Sequence, residues 1–140
     1  MNAVSDVFDI TIPPTAATKT SDVMAAAQNL LQKAQAIFIN NDNTALSAID
    51  VIVKVATEHN IPVFTSDVDC LEKGALAALG PDQYELGKQA GKMTHRILLD
   101  ELPSSIPVEM PKKVYAKVNS SVATKLGIAY QNDTVETFED

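Results

Sequence analysis

Two short apolar runs, Ala36 to Ile39 and Ile61 to Thr65, each end in a cluster of small polar residues, and a segment with helical spacing of apolar side chains separates them. An unbroken apolar run of this length suits a parallel strand covered on both faces, and the helical segment supplies the crossover that parallel neighbours require. The pattern therefore predicts an α/β fold with a parallel sheet of about four to five strands flanked by helices. With 140 residues, 46% apolar and 21% charged, the chain has material for one compact core.

The remaining segments extend the same rhythm. Val7 to Ile12 reads as a first strand stopped by Pro13-Pro14. Ser21-Asp22 then offers an N-cap for a helix from Val23 to Ala34. The segment between the two apolar runs predicts a helix over about Ala45 to His59, with Asn60 as its C-cap. A short turn through Lys73 and Gly74 leads to a fourth strand, Ala75 to Leu79. Tyr84 to Leu102 is an amphipathic helix with Leu86, Ala90, Met93, Ile97 and Leu98 as its stripe, stopped by Pro103. An extended connector, a strand over Val114 to Val118 and a helical turn capped by Ser120-Ser121 follow. The division expected is a folded unit over 1–128 and an acidic, flexible tail over 129–140.

Charge and motifs exclude several classes of function. Eleven Lys and Arg against eighteen Asp and Glu leave a net charge of -7, which repels phosphate backbones, and no basic cluster offsets it, so no nucleic-acid partner is expected. Cys70 is the single cysteine and has no zinc or redox spacing around it. The segment Met1 to Asp6 lacks the basic and apolar regions of a secretory signal, and no apolar run approaches bilayer length, so localisation stays open. Neither a nucleophile elbow nor a phosphate-binding loop is present, and His59 and His95 stand apart from any relay. No catalytic residue, metal or cofactor is expected; the chain reads as a binding module rather than an enzyme.

In an open parallel sheet, ligands bind beyond the carboxyl ends of the strands. Three loops there are polar: Asn40 to Thr44, Ser66 to Asp69 and Gly80 to Tyr84. Asp42, Asn43 and Thr44 offer carboxylate, amide and hydroxyl groups at a helix start, where either a ligand carboxylate or simple capping explains them. Ser66 and Asp67 close the next strand, and Asp67 suits a ligand ammonium or, again, a cap. Tyr84 brings a flat apolar body with a polar tip, for stacking on a ligand or for anchoring its helix.

The order Ala36-Ile-Phe-Ile-Asn-Asn-Asp-Asn-Thr44, Ile61-Pro-Val-Phe-Thr-Ser-Asp67, Gly74-Ala-Leu-Ala-Ala-Leu-Gly80 and Tyr84-Glu-Leu-Gly87 resembles the ABC-transporter substrate-binding proteins of the tryptophan/tyrosine uptake type. The resemblance runs from about Val7 to Ile128 and implies part of a type I periplasmic-binding-protein lobe. It further implies a periplasmic or extracellular protein that hands an amino acid or similar solute to an ABC permease. By it, Asp42, Asn43, Thr44, Ser66, Asp67 and the Gly80 to Tyr84 crossover would face an interlobe cleft. A full-length member carries a signal peptide and a complete first lobe, so the resemblance implies that this chain corresponds to the C-terminal part, with impaired capture as the expectation. The helix over 84–102 would then pack on the absent lobe, and its homeless stripe implies self-association as a dimer. A receiver-like or regulatory α/β binding module is the alternative, but it needs an acidic pair where Pro13-Pro14 stands.

Overall fold

A computed structural model describes residues 9–131 and the backbone of 136–138. Helix α1 spans Thr20–Leu31, β1 Ile37–Ile39, α2 Asn43–Leu46, α3 Ile49–Glu58 and β2 Val63–Thr65. After a 3-10 turn at Val68–Leu71 come β3 Ala77–Pro81, α4 Gln83–Leu98, β4 Val114–Asn119, α5 Ser120–Leu126 and β5 Glu136–Phe138. The five strands form one sheet in sequence order.

The two apolar runs form neighbouring strands as expected, but only one face of them is covered, and Phe38 on the other face is 62% exposed. Ile37 and Ile39 of β1, with Val63 of β2, turn toward the buried side, where α1 contributes Val23 and Ala27 and α3 contributes Ile49, Ile52, Val53 and Ala56. A smaller cluster on Leu76, Val118 and Ala123 fills the space under α5. Neither cluster contains a residue of α4 or of the connector that follows it.

β1 pairs with β2 and β2 with β3 in parallel, as expected, but β3 and β4 run antiparallel, with Pro81 opposite Val114 and Ala77 opposite Val118. The cause is the route of the intervening chain. It leaves the end of β3, travels along α4 and returns to the same end, where the Asp82 N–H donates to the Lys113 carbonyl at 3.2 Å. A parallel neighbour needs a crossover to the opposite end of the sheet.

Several sequence-based boundaries change. Val7 and Phe8 of the first expected strand lie outside the described residues, and Asp9 to Ile12 is not strand. Among the described residues β1 has β2 on one side only, so Ile10 and Ile12 have no ladder to join and are exposed. Helix α1 begins earlier than expected, after Lys19 and with no side-chain cap; Asp22 lies in its first turn and meets Lys19 at 3.8 Å. The helix read as Ala45 to His59 is broken at Ser47-Ala48, where the Ser47 hydroxyl donates to the Thr44 carbonyl at 3.0 Å. Asn60 does adopt the left-handed geometry of a helix end, with φ 54, and the Ile61 N–H returns to Ala56.

β3 starts at Ala77, two residues later than read, although the buried Leu76 before it already bonds both neighbours, its N–H to the Val63 carbonyl at 2.8 Å and its carbonyl to the Asn119 N–H at 2.9 Å. α4 stops at Leu98, well short of Leu102, with Asp100 at φ 66 turning the chain away. Within the expected acidic tail, Glu136–Phe138 forms β5, parallel to β4.

Candidate functional site

The parallel strands β1, β2 and β3 place their carboxyl ends side by side, so the polar loops after them gather at one edge of the sheet. The Ser66 N–H donates to the Ile39 carbonyl at 3.2 Å, which ties the loop after β2 to the end of β1. On the other side Gly80 of β3 lies directly against the Ser66 carbonyl, with no room for a Cβ. Asp42 to Thr44, Ser66 and Asp67 therefore share one edge. Tyr84 follows two residues after Asp82, in the first turn of α4.

Each of these loops uses an aspartate to start the next element. Asp42 Oδ1 accepts from the Ala45 N–H at 2.9 Å, Asp67 Oδ1 from the Asp69 N–H at 3.1 Å, and Asp82 Oδ1 from the Glu85 N–H at 3.0 Å. Capping, the plainer of the two readings, is thus realised for Asp42 and Asp67 with one oxygen of each carboxylate. Because α2 is a single turn, its start offers an anion less than a long helix would.

Ser66 differs from its neighbours. Its Oγ is buried and has no hydrogen-bond partner among the described residues, while the hydroxyl of the preceding Thr65 accepts from the Asp67 N–H at 3.1 Å. Tyr84 is 75% exposed, with Lys88 Nζ 5.3 Å from the centre of its ring. Asp82 sits at the base of α4, where the hydrogen bond from the Glu85 amide, aided by Tyr115 and Lys113, holds its carboxyl below the usual range. Burial pushes the Cys70 thiol up. His59 Nδ1 lies 2.9 Å from the Val55 carbonyl of its own helix.

Two polar residues that pattern reading passed over prove structural. Asn119 is fully buried: its Nδ2 donates to the Leu71 carbonyl at 3.0 Å, and its Oδ1 accepts from the Val122 N–H at 3.0 Å and from the Ser121 hydroxyl at 2.8 Å. It caps α5 in place of the expected Ser120-Ser121. Gln89, the buried residue of α4, donates to Glu109 and to the Met110 carbonyl, both at 3.0 Å. An asparagine at the end of the alternating segment Val114 to Val118, just before a helical turn, was the available signal for the first; nothing in sequence marks the second.

A layered α/β unit with polar loops collected at the carboxyl edge of its parallel strands has the layout of a small-ligand binding lobe. The family model described as ABC transporter substrate binding protein matches residues 1–138, and the chain belongs to that family. A tyrosine-binding protein of Clostridioides difficile is 33% identical over 89 residues, covering 64% of this chain and 26% of the relative. An uncharacterized protein of Rickettsia prowazekii is 27% identical over 113 residues, covering 81% and 37% respectively. The chain thus spans between about a quarter and two fifths of these curated relatives.

Among solved structures, a conserved domain protein from Vibrio cholerae matches with TM-score 0.90 and 28% identity over 99% of this chain and 48% of its own. A Streptococcus pneumonia ABC domain solved in complex with L-Trp matches with TM-score 0.90 over 97% of this chain and 48% of its own, and at 24% identity shows the fold. The ligand-free, open structure of a substrate-binding protein with adhesive properties from Clostridium difficile matches with TM-score 0.71 and 26% identity, covering 99% and 47%. The chain corresponds to about half of each solved protein. Among the described residues no helix is long and apolar enough to cross a membrane.

Proposed function

We propose that this chain is the C-terminal part of a receptor that captures an amino acid or similar small solute outside the cytoplasmic membrane and delivers it to an ABC permease. Asp42, Asn43, Thr44, Ser66, Asp67 and Tyr84 are the proposed ligand contacts. The observation that carries this reading is the convergence of the loops after β1 and β2 at one edge, with the Ser66 hydroxyl buried and unpaired there. A buried hydroxyl without a partner costs free energy that a ligand's polar group can recover. Asp67 keeps its second carboxylate oxygen for a ligand ammonium, and the tyrosine-binding relative and the L-Trp complex make an aromatic amino acid the ligand to try first.

In this reading no covalent chemistry occurs; the chain contributes recognition only. The chain supplies one wall of the cleft, so its own affinity falls below that of a two-lobed receptor. The apolar stripe of α4, which neither core cluster takes up, further supports association of two copies.

The test is a thermal-shift titration of the chain with tyrosine, tryptophan and a panel of other amino acids. Ligand at a hundredfold excess over its dissociation constant stabilises by about 2.7 kcal/mol. Asp67→Ala and Tyr84→Ala should abolish or weaken the shift. A response that both variants retain would place the ligand elsewhere.

A further inference from the structure

Residues 82–113 make up an arm that stands outside both hydrophobic clusters. Within the arm, α4 is fastened to the returning connector. Arg96 donates to both oxygens of Glu101, at 2.7 Å from Nε and 2.6 Å from Nη2, and to Glu109 at 3.4 Å, while Gln89 reaches Glu109, the Met110 carbonyl and the Lys112 N–H. The arm is therefore internally braced. Its covalent junctions with the sheet unit are two adjacent strand ends, Pro81 of β3 and Val114 of β4.

At that junction two side chains meet across the gap. Lys113 Nζ lies 3.9 Å from Asp82 Oδ2 and 4.6 Å from the centre of the Tyr115 ring, and the Asp82 N–H bonds the Lys113 carbonyl. Asp82 is the last residue before α4 and Lys113 the last before β4. Both lie where a change of backbone angle would swing a braced arm as one body.

We propose that Asp82 and Lys113 form a latch that sets the angle of the arm, and with it the position of Tyr84, which lies in the first turn of α4. The inference rests on the proposed ligand site only for its consequence for capture. Asp82 and Lys113 are positioning residues, which act on the ligand through Tyr84. The ion pair supplies direction, and the Tyr115 ring beneath Lys113 limits where the ammonium can go.

The test compares the angle directly. Spin labels placed at Lys33→Cys on the sheet unit and Ser104→Cys on the arm, in a Cys70→Ala background, report the distance distribution of the full chain. Asp82→Asn keeps the cap, since asparagine caps as well as aspartate, but removes the charge; Lys113→Gln removes the partner. Each should broaden or shift the distribution while circular dichroism shows α4 intact, the double variant should add nothing further, and Lys113→Arg should restore the original. A two- to fivefold change in the ratio of conformers is the size expected of one exposed pair. Unchanged distributions in both single variants, or fully additive effects, would overturn the latch. If the distributions respond while no amino acid binds any form, the latch stands and the proposed ligand site falls.

Discussion

Gly80 of β3 packs so closely on the carbonyl of Ser66 that a methyl group at its Cα would overlap that oxygen. The contact brings the ends of β2 and β3 together at the edge where the candidate ligand residues collect. Ser66 is in turn bonded to Ile39 of β1, so a displacement here passes to the loop that carries Asp42.

Gly80→Ala is accordingly expected to destabilise the chain by about 1 to 3 kcal/mol, since the backbone on both sides must separate. The loss should appear as a lower urea midpoint with an unchanged slope. Any ligand response should weaken along with it. A variant as stable as the original would show that the strands separate there at no cost.

Asn119→Ala removes three hydrogen bonds from a fully buried position, takes the cap from the Val122 N–H and leaves the Leu71 carbonyl with the Gly74 N–H as its remaining donor. A cost of about 2 to 4 kcal/mol follows, combining a lost cap with the other lost hydrogen bonds. Asn119→Asp should keep the cap but set a carboxylate against the Leu71 carbonyl. Denaturation midpoints should therefore rank the asparagine first, with both variants well below it.

Acid should weaken the arm before it unfolds the sheet unit. The Glu85 amide lowers the Asp82 pKa, with Tyr115 and Lys113 assisting, and the hydrogen bonds from Arg96 lower that of Glu101. A carboxyl whose folded pKa lies below its unfolded value of about 3.9 to 4.3 stabilises fully above that value and loses the contribution as pH falls through the folded pKa. Helix signal followed from pH 6 to 2 should decline at the acid end. In Asp82→Asn with Glu101→Gln the decline should be smaller; an identical profile would remove these groups from the account.

The C-terminal end of α4 and the turn after it present Leu98 at 76% exposure and Leu99 and Leu102 at 68% each. Burying a large apolar side chain stabilises by about 1.5 to 3 kcal/mol, enough for a few such residues to hold two copies together. Sedimentation should show a concentration-dependent dimer, and Leu98→Lys with Leu102→Lys should return it to monomer. A monodisperse monomer of the unaltered chain would sink the prediction.

Where the apolar pattern was unambiguous, the chain itself carried the answer. Ile37 to Ile39 and Val63 to Thr65 form strands whose inward residues Ile37, Ile39 and Val63 are covered by α1 and α3, while Phe38 on the opposite face stays 62% exposed. The grouping of Asp42 and Ser66-Asp67 follows from the same fact, since parallel strands bring their ends to one side. Local spacing was blind to events between distant segments. Val7 to Ile12 had the composition of a strand, but its described part has no neighbour to pair with, and a strand is defined by its partner.

Sequence by itself determined the α/β class, the alternation that builds the sheet and the loops that carry the polar groups, because each depends on periodicities of a few residues. Only the tertiary structure decided that β4 enters antiparallel, that Asn119 rather than Ser120 caps α5, that Gly80 touches Ser66, and that α4 stands outside both cores. These depend on where the chain returns after many residues. The energy that fixes such a return comes from groups far apart in sequence, such as Asp82 and Lys113, which meet only once the fold is complete.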